Sequence, residues 1–112
     1  NIASLGGQVS VVGLLGDDVH GDALRRLLDD LGVDTSGIVC TPGRLTTVKT
    51  RVLAGGQGTV HQQVLRLDRE PVVAASAEAR SALLDALAER ANNAHVVVVS
   101  DYGYGSATPA EV

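Results

Sequence analysis

Lys49 and Arg51 stand two residues apart in TTVKTRVLA, with Thr47 two residues before Lys49. If this stretch is a strand, that spacing puts all three polar side chains on one face. Two cations and a hydroxyl so placed can hold a phosphate or the oxygens of a sugar, Arg through its planar fork and Lys as a point charge. Lys49 is the only lysine in the chain. Such residues are also ordinary on a solvated strand face, and spacing alone leaves both readings open. Asp101 is the other candidate. It follows the run HVVVVS, and a carboxylate accepts hydrogen bonds, which suits a polyol donor. Its plainer role is that of an Asx-type turn residue leading into Gly103.

The remaining chemistry-bearing residues point elsewhere. GLLGDDVHG, residues 13 to 21, is a glycine-bearing strand-to-helix turn of the kind that presents amides to an anion. It fits neither G-x-G-x-x-G nor a Walker loop, and Asp17 and Asp18 would repel a phosphate. Their expected role is to cap the helix and complement its dipole. His20, His61 and His95 are scattered and show no metal-ligand spacing. Cys40 has no feature of a nucleophile, and there is no G-x-S-x-G motif.

The elements that must position these residues are legible from periodicity. VSVVGLL, residues 9 to 15, is an apolar β-branched run, after which Leu24, Leu27, Leu28 and Leu31 recur at helical spacing and Gly32 stops the helix. A short strand is expected near Ile38 to Cys40. TTVKTRVLA and HQQVLRLDRE are expected to pair as an antiparallel ribbon across the glycines of AGGQGTV. Ser76 is the expected N-cap of a helix running to about Arg90, with Leu83, Leu84, Leu87 and Ala91 as its apolar stripe. Four consecutive valines, 96 to 99, then read as a strand covered on both faces, the pattern of a central parallel strand. Strand, helix, short strands, helix, strand is an α/β pattern with an antiparallel insertion, and ligands of such sheets bind beyond the carboxyl ends of the strands.

Composition narrows the classes. With 112 residues and 45% hydrophobic residues the chain is globular in character. Its aromatic residues are Tyr102 and Tyr104 alone, so a core must be built from Val, Leu, Ile and Ala. A net charge of −4 without a basic cluster argues against nucleic acid or an anionic membrane as partner. No window approaches the roughly 18 apolar residues of a membrane span. A single cysteine fits a reduced, cytoplasmic setting.

Taken in order, NIASLGGQVSVVGLLGDDVHGDAL, TTVKTRVLAGGQ, QVLRLDRE and VVVVSDYGYG resemble the ribokinase-like carbohydrate kinases, also called the phosphofructokinase B family. The TxxKTR, QxxRxDxE and SDYxxG segments are most similar to its heptose 7-phosphate kinase branch, which serves ADP-heptose synthesis. The resemblance implies a mainly parallel α/β sheet flanked by helices, with a small antiparallel β lid at about residues 37–69. It implies ATP-dependent phosphoryl transfer to a sugar hydroxyl with Mg²⁺, a chemistry that relies chiefly on positioning and charge stabilisation. By position, Asp101 falls at the family's sugar-contacting site, Lys49 and Arg51 on the lid strand facing substrate, and Asn1 just after the family's sugar-binding Gly-Gly and Asn motif. Gly13, Gly16, Asp17 and Gly21 match a second family signature of architectural character. The homologous position to Tyr104 usually holds lysine, which bears on substrate identity. The expectation is an N-terminal-half fragment of residues 1–112, with the catalytic base and the nucleotide-binding half beyond Val112 and no activity of its own. The lid is also a candidate homodimer contact. Two other readings stay open: a kinase of another sugar or sugar phosphate, and a non-catalytic α/β binding or assembly module.

Overall fold

The computed structural model describes residues 1–56, 58, 60–100, 102 and 103. After a short 3-10 turn at Ala3–Leu5 come strand β1 (Ser10–Gly16), helix α1 (Val19–Asp30), strands β2 (Asp34–Thr41), β3 (Val48–Ala54) and β4 (Gln62–Arg69), and helix α2 (Ala77–Ala91). β1 and β2 run parallel, with Gly13 opposite Ile38 and Gly16 opposite Thr41. β3 and β4 run antiparallel, with Lys49 opposite Asp68 and Arg51 opposite Arg66. The chain is therefore α/β, built from one parallel pair and one separate ribbon.

Each helix begins where a side chain can satisfy its orphan amides. The Asp18 carboxylate caps α1 by accepting from the His20 and Gly21 amides at 3.2 and 2.9 Å. The Ser76 hydroxyl caps α2, accepting from the Ala79 amide at 3.2 Å. Both helices pack on the parallel pair. Arg25 of α1 reaches the Ile38 carbonyl at 3.1 Å. Arg90 of α2 donates to the Ser36 hydroxyl at 2.6 Å and lies 3.7 Å from Asp34. Leu15, Val33, Ile38, Ala75 and Ala79 form the buried apolar core of the described residues.

Three expectations are corrected. Residues 96–99 are not a strand: they take no place in either sheet, and these valines remain 50–76% exposed. They line a cleft of about 610 Å³ together with Val9, residues 10–13 of β1 and Leu83, Leu84 and Leu87 of α2. A β-branched run has strand propensity, yet it becomes a strand only when an edge supplies hydrogen bonds and a layer covers its faces. The mainly parallel sheet is accordingly visible as a single parallel pair. The stretch around Ile38 belongs to that pair and not to the ribbon, which begins at Val48. The leucine stripe of α1 is correct in period but mostly uncovered: Leu24, Leu27 and Leu31 are exposed, because a two-stranded sheet is too narrow to shield the whole stripe.

Candidate functional site

Alternation along β3 and β4 sorts their side chains onto two faces. Lys49 and Arg51 fall on one face as the spacing predicts, and the antiparallel register adds Asp68 and Arg66 directly across from them. Arg66 is the functional candidate that reading β3 alone overlooks. Its signal is the period of two in RLDRE combined with the register of the hairpin.

The face is wired by ion pairs. The Lys49 ammonium lies 3.3 Å from the Asp68 carboxylate and 3.6 Å from that of Glu70. The Arg66 Nε lies 3.0 Å from the other Asp68 oxygen. Burial pulls the Asp68 carboxyl upward, but the hydrogen bond and charge of Lys49 and the charge of Arg66 outweigh it and hold the group below its ordinary value. It stays an anion and fixes the two cations. Arg51 and Arg66 are like-charged cross-strand neighbours, an arrangement that is unfavourable by itself and that a bound anion relieves. Three cations, Lys49, Arg51 and Arg66, stand against two carboxylates, Asp68 and Glu70, so the face keeps one positive charge in excess to present to a phosphate.

The ribbon is rooted at the carboxyl end of β1. The Thr46 hydroxyl accepts from the Gly16 amide at 3.0 Å, and the Thr46 amide donates to Asp18 at 3.0 Å. Arg69, the last residue of β4, donates to the same Asp18 oxygen at 2.8 Å. The Thr46 and Gly21 amides hold the Asp18 carboxyl far below the usual carboxylate range. This packing also explains two glycines of the turn. A Cβ on Gly16 would lie 2.3 Å from the Arg44 carbonyl oxygen, and one on Gly21 would lie 2.5 Å from that of Gly16. The reading of GDD as helix-capping and architectural thus holds for Asp18, Gly16 and Gly21.

Asn1 is exposed beside the 3-10 turn, its carbonyl accepting from the Leu5 amide at 3.2 Å. Asp101 and Tyr104 lie outside the described residues. Among the described residues no three His, Cys, Asp or Glu side chains converge to hold a metal ion, and no helix is long and apolar enough to cross a membrane.

Comparison with known proteins supplies the family. The family model for pfkB family carbohydrate kinases matches residues 1–109. The bifunctional protein HldE of Citrifermentans bemidjiense is 42% identical over 110 residues, covering 98% of this chain and 22% of that protein. HldE of Magnetococcus marinus is 40% identical over 108 residues, covering 94% of this chain and 21% of its own length. HldE of Helicobacter pylori is 37% identical over 105 residues, with 94% and 22% covered. The chain thus spans about a fifth of the length of these relatives. With its parallel βαβ unit, its antiparallel ribbon and a family match along nearly its whole length, this chain belongs to the pfkB family of carbohydrate kinases.

Proposed function

We propose that this chain is part of an ATP-dependent sugar kinase that transfers the γ-phosphoryl group of ATP to a hydroxyl of a sugar phosphate, heptose 7-phosphate in ADP-heptose synthesis. The observation that carries this reading is the cationic ribbon face of Lys49, Arg51 and Arg66, rooted at the carboxyl end of β1. Ligands of α/β sheets bind at that end, and fixed cations there suit a sugar that already bears a phosphate. The similarity to the HldE proteins at 37–42% identity supports the heptose branch over other sugars.

In this reading the ribbon is the lid. Lys49 and Arg51 meet the phosphate or hydroxyls of the substrate, and Arg66 joins them. Asp101 accepts hydrogen bonds from sugar hydroxyls, and Asn1 trails the sugar-binding motif. Closure of such a lid excludes water that would otherwise compete for the phosphoryl group. We assign no described residue to ATP, to Mg²⁺ or to the catalytic base. The opposite ribbon face carries exposed Val52, Leu65 and Leu67 and fits a homodimer contact. The chemistry belongs in the cytoplasm, where ATP is available.

The test is ADP release by the protein extended to the length of its relatives, with ATP, Mg²⁺ and heptose 7-phosphate. Turnover that depends on the sugar phosphate is expected. Arg51→Ala should raise its KM by about tenfold or more while leaving the KM for ATP alone, as for loss of a charge-assisted contact of about 1.5–3 kcal/mol. Equal turnover on ribose or fructose would move the substrate to another sugar, and none on any sugar would favour a binding module.

A further inference from the structure

Asp18 does more than begin a helix. One of its oxygens caps α1 through the His20 and Gly21 amides, while the other accepts from Thr46 and Arg69. Thr46 lies two residues before β3, and Arg69 closes β4 opposite Val48. A single carboxylate therefore holds both roots of the ribbon against the turn between β1 and α1.

The contacts at these roots differ in character. Thr46 and Arg44 are buried, and Arg44 donates to the Val73 carbonyl at 2.7 Å, tying the chain that enters the ribbon to the chain that leaves it. These are fixed attachments. The Arg69 side chain is 42% exposed and that of Asp18 is 17% exposed. An ion pair so open to water adds little to stability. It has direction, however, because the guanidinium is held at 2.8 Å by a carboxylate whose other oxygen is locked to a helix start.

We propose that the Asp18–Arg69 pair is a positioning strut that sets the attitude of the ribbon, and with it the placement of Lys49, Arg51 and Arg66 over the sugar phosphate. The role rests on the kinase reading, in which those cations meet the substrate. Neither residue touches the substrate. The pair acts through the ribbon, and a displacement of about 1 Å in such a contact is enough to cost up to a hundredfold in rate.

The experiment uses the full-length enzyme with Arg69→Gln, Arg69→Lys and Asp18→Asn, the last chosen because Asn caps a helix about as well as Asp. Arg69→Gln and Asp18→Asn should each raise the KM for the sugar phosphate about tenfold, with the KM for ATP unchanged. The melting temperature should hold in Arg69→Gln and fall in Asp18→Asn, whose side-chain NH2 would face the Thr46 amide that now donates to the carboxylate. Arg69→Lys should recover most of the loss. In the KM for the sugar phosphate the double variant should be no worse than Asp18→Asn alone, since Arg69→Gln then has no carboxylate left to lose. Hydrogen exchange on the same proteins should quicken in residues 48–54 and 62–69 while the Gly21 amide keeps its protection. Additive losses, or unchanged exchange in the ribbon of Arg69→Gln, would overturn the strut. An enzyme inactive on every sugar would overturn the kinase reading, and the exchange measurement would still decide whether the strut exists.

Discussion

Gly13 and Gly16 stand three residues apart on β1, and their surroundings separate them. A Cβ on Gly16 would meet the Arg44 carbonyl oxygen at 2.3 Å, the Thr46 amide at 2.6 Å and the Leu45 carbonyl carbon at 2.9 Å, all backbone and unable to swing aside. A Cβ on Gly13 meets nothing within 4 Å. Gly16→Ala should therefore destabilise by about 3 kcal/mol, the scale of an overpacked site. Gly13→Ala should stay within about 0.5 kcal/mol of the parent. Denaturant unfolding of both variants checks the contrast, and equal losses would refute it. From sequence the two glycines are indistinguishable, as are Asp17 and Asp18, because what separates them is the loop of residues 44–46 arriving from some thirty positions away. Lys49 and Arg51 were legible because alternation along one strand is a local property. Arg66 needed the register of a partner strand, which no single run of residues contains.

At the scale of elements, periodicity names an element's type and leaves its neighbours unstated. Both helices and both ribbon strands form where their patterns and caps place them. The valine run at 96–99 has the composition of a buried strand and lies instead beside a cleft, since pairing depends on a free edge and a covering layer, not on composition. The junction of β2 with α2 shows how elements are tied by charge. The Ser36 hydroxyl and amide, then the Ser10 hydroxyl, and last the charge of Arg90 hold the Asp34 carboxyl down to about 2. A depressed carboxylate lends stability that is complete above its unfolded value, near 4, and that is lost as pH falls through the folded value. Stability of the β2–α2 junction should thus decline between about pH 4 and pH 2. Asp34→Asn should flatten that part of the profile by lowering stability in the neutral region toward its acid level, since the carboxylate's contribution is present there. Circular dichroism across an acid titration measures it, and a profile unaltered by the substitution would exclude Asp34 as the cause.

For the molecule as a whole, shape follows from how little of the chain is covered. A compact domain of 112 residues has a radius of gyration of about 13 Å, whereas this one measures 16.4 Å, and its ribbon strands are exposed along nearly their whole length. The buried apolar residues of the described structure are few, while Leu27, Leu31 and Val96 to Val99 stand open. Apolar surface on that scale is characteristic of faces that meet another layer. The relatives, of which this chain spans about a fifth, offer length enough to supply one. The 112-residue chain alone should therefore bind a hydrophobic dye such as ANS strongly and associate as its concentration rises. The protein extended to the length of its relatives should do neither. The same comparison tests the proposed chemistry, in which the ribbon meets the sugar phosphate and no residue here is assigned to ATP or to the base. The short chain should release no ADP above background under conditions in which the extended protein turns over. Sugar-dependent ADP release by the short chain would show that its own residues complete the site, and it would send the search for the base back into residues 1–112.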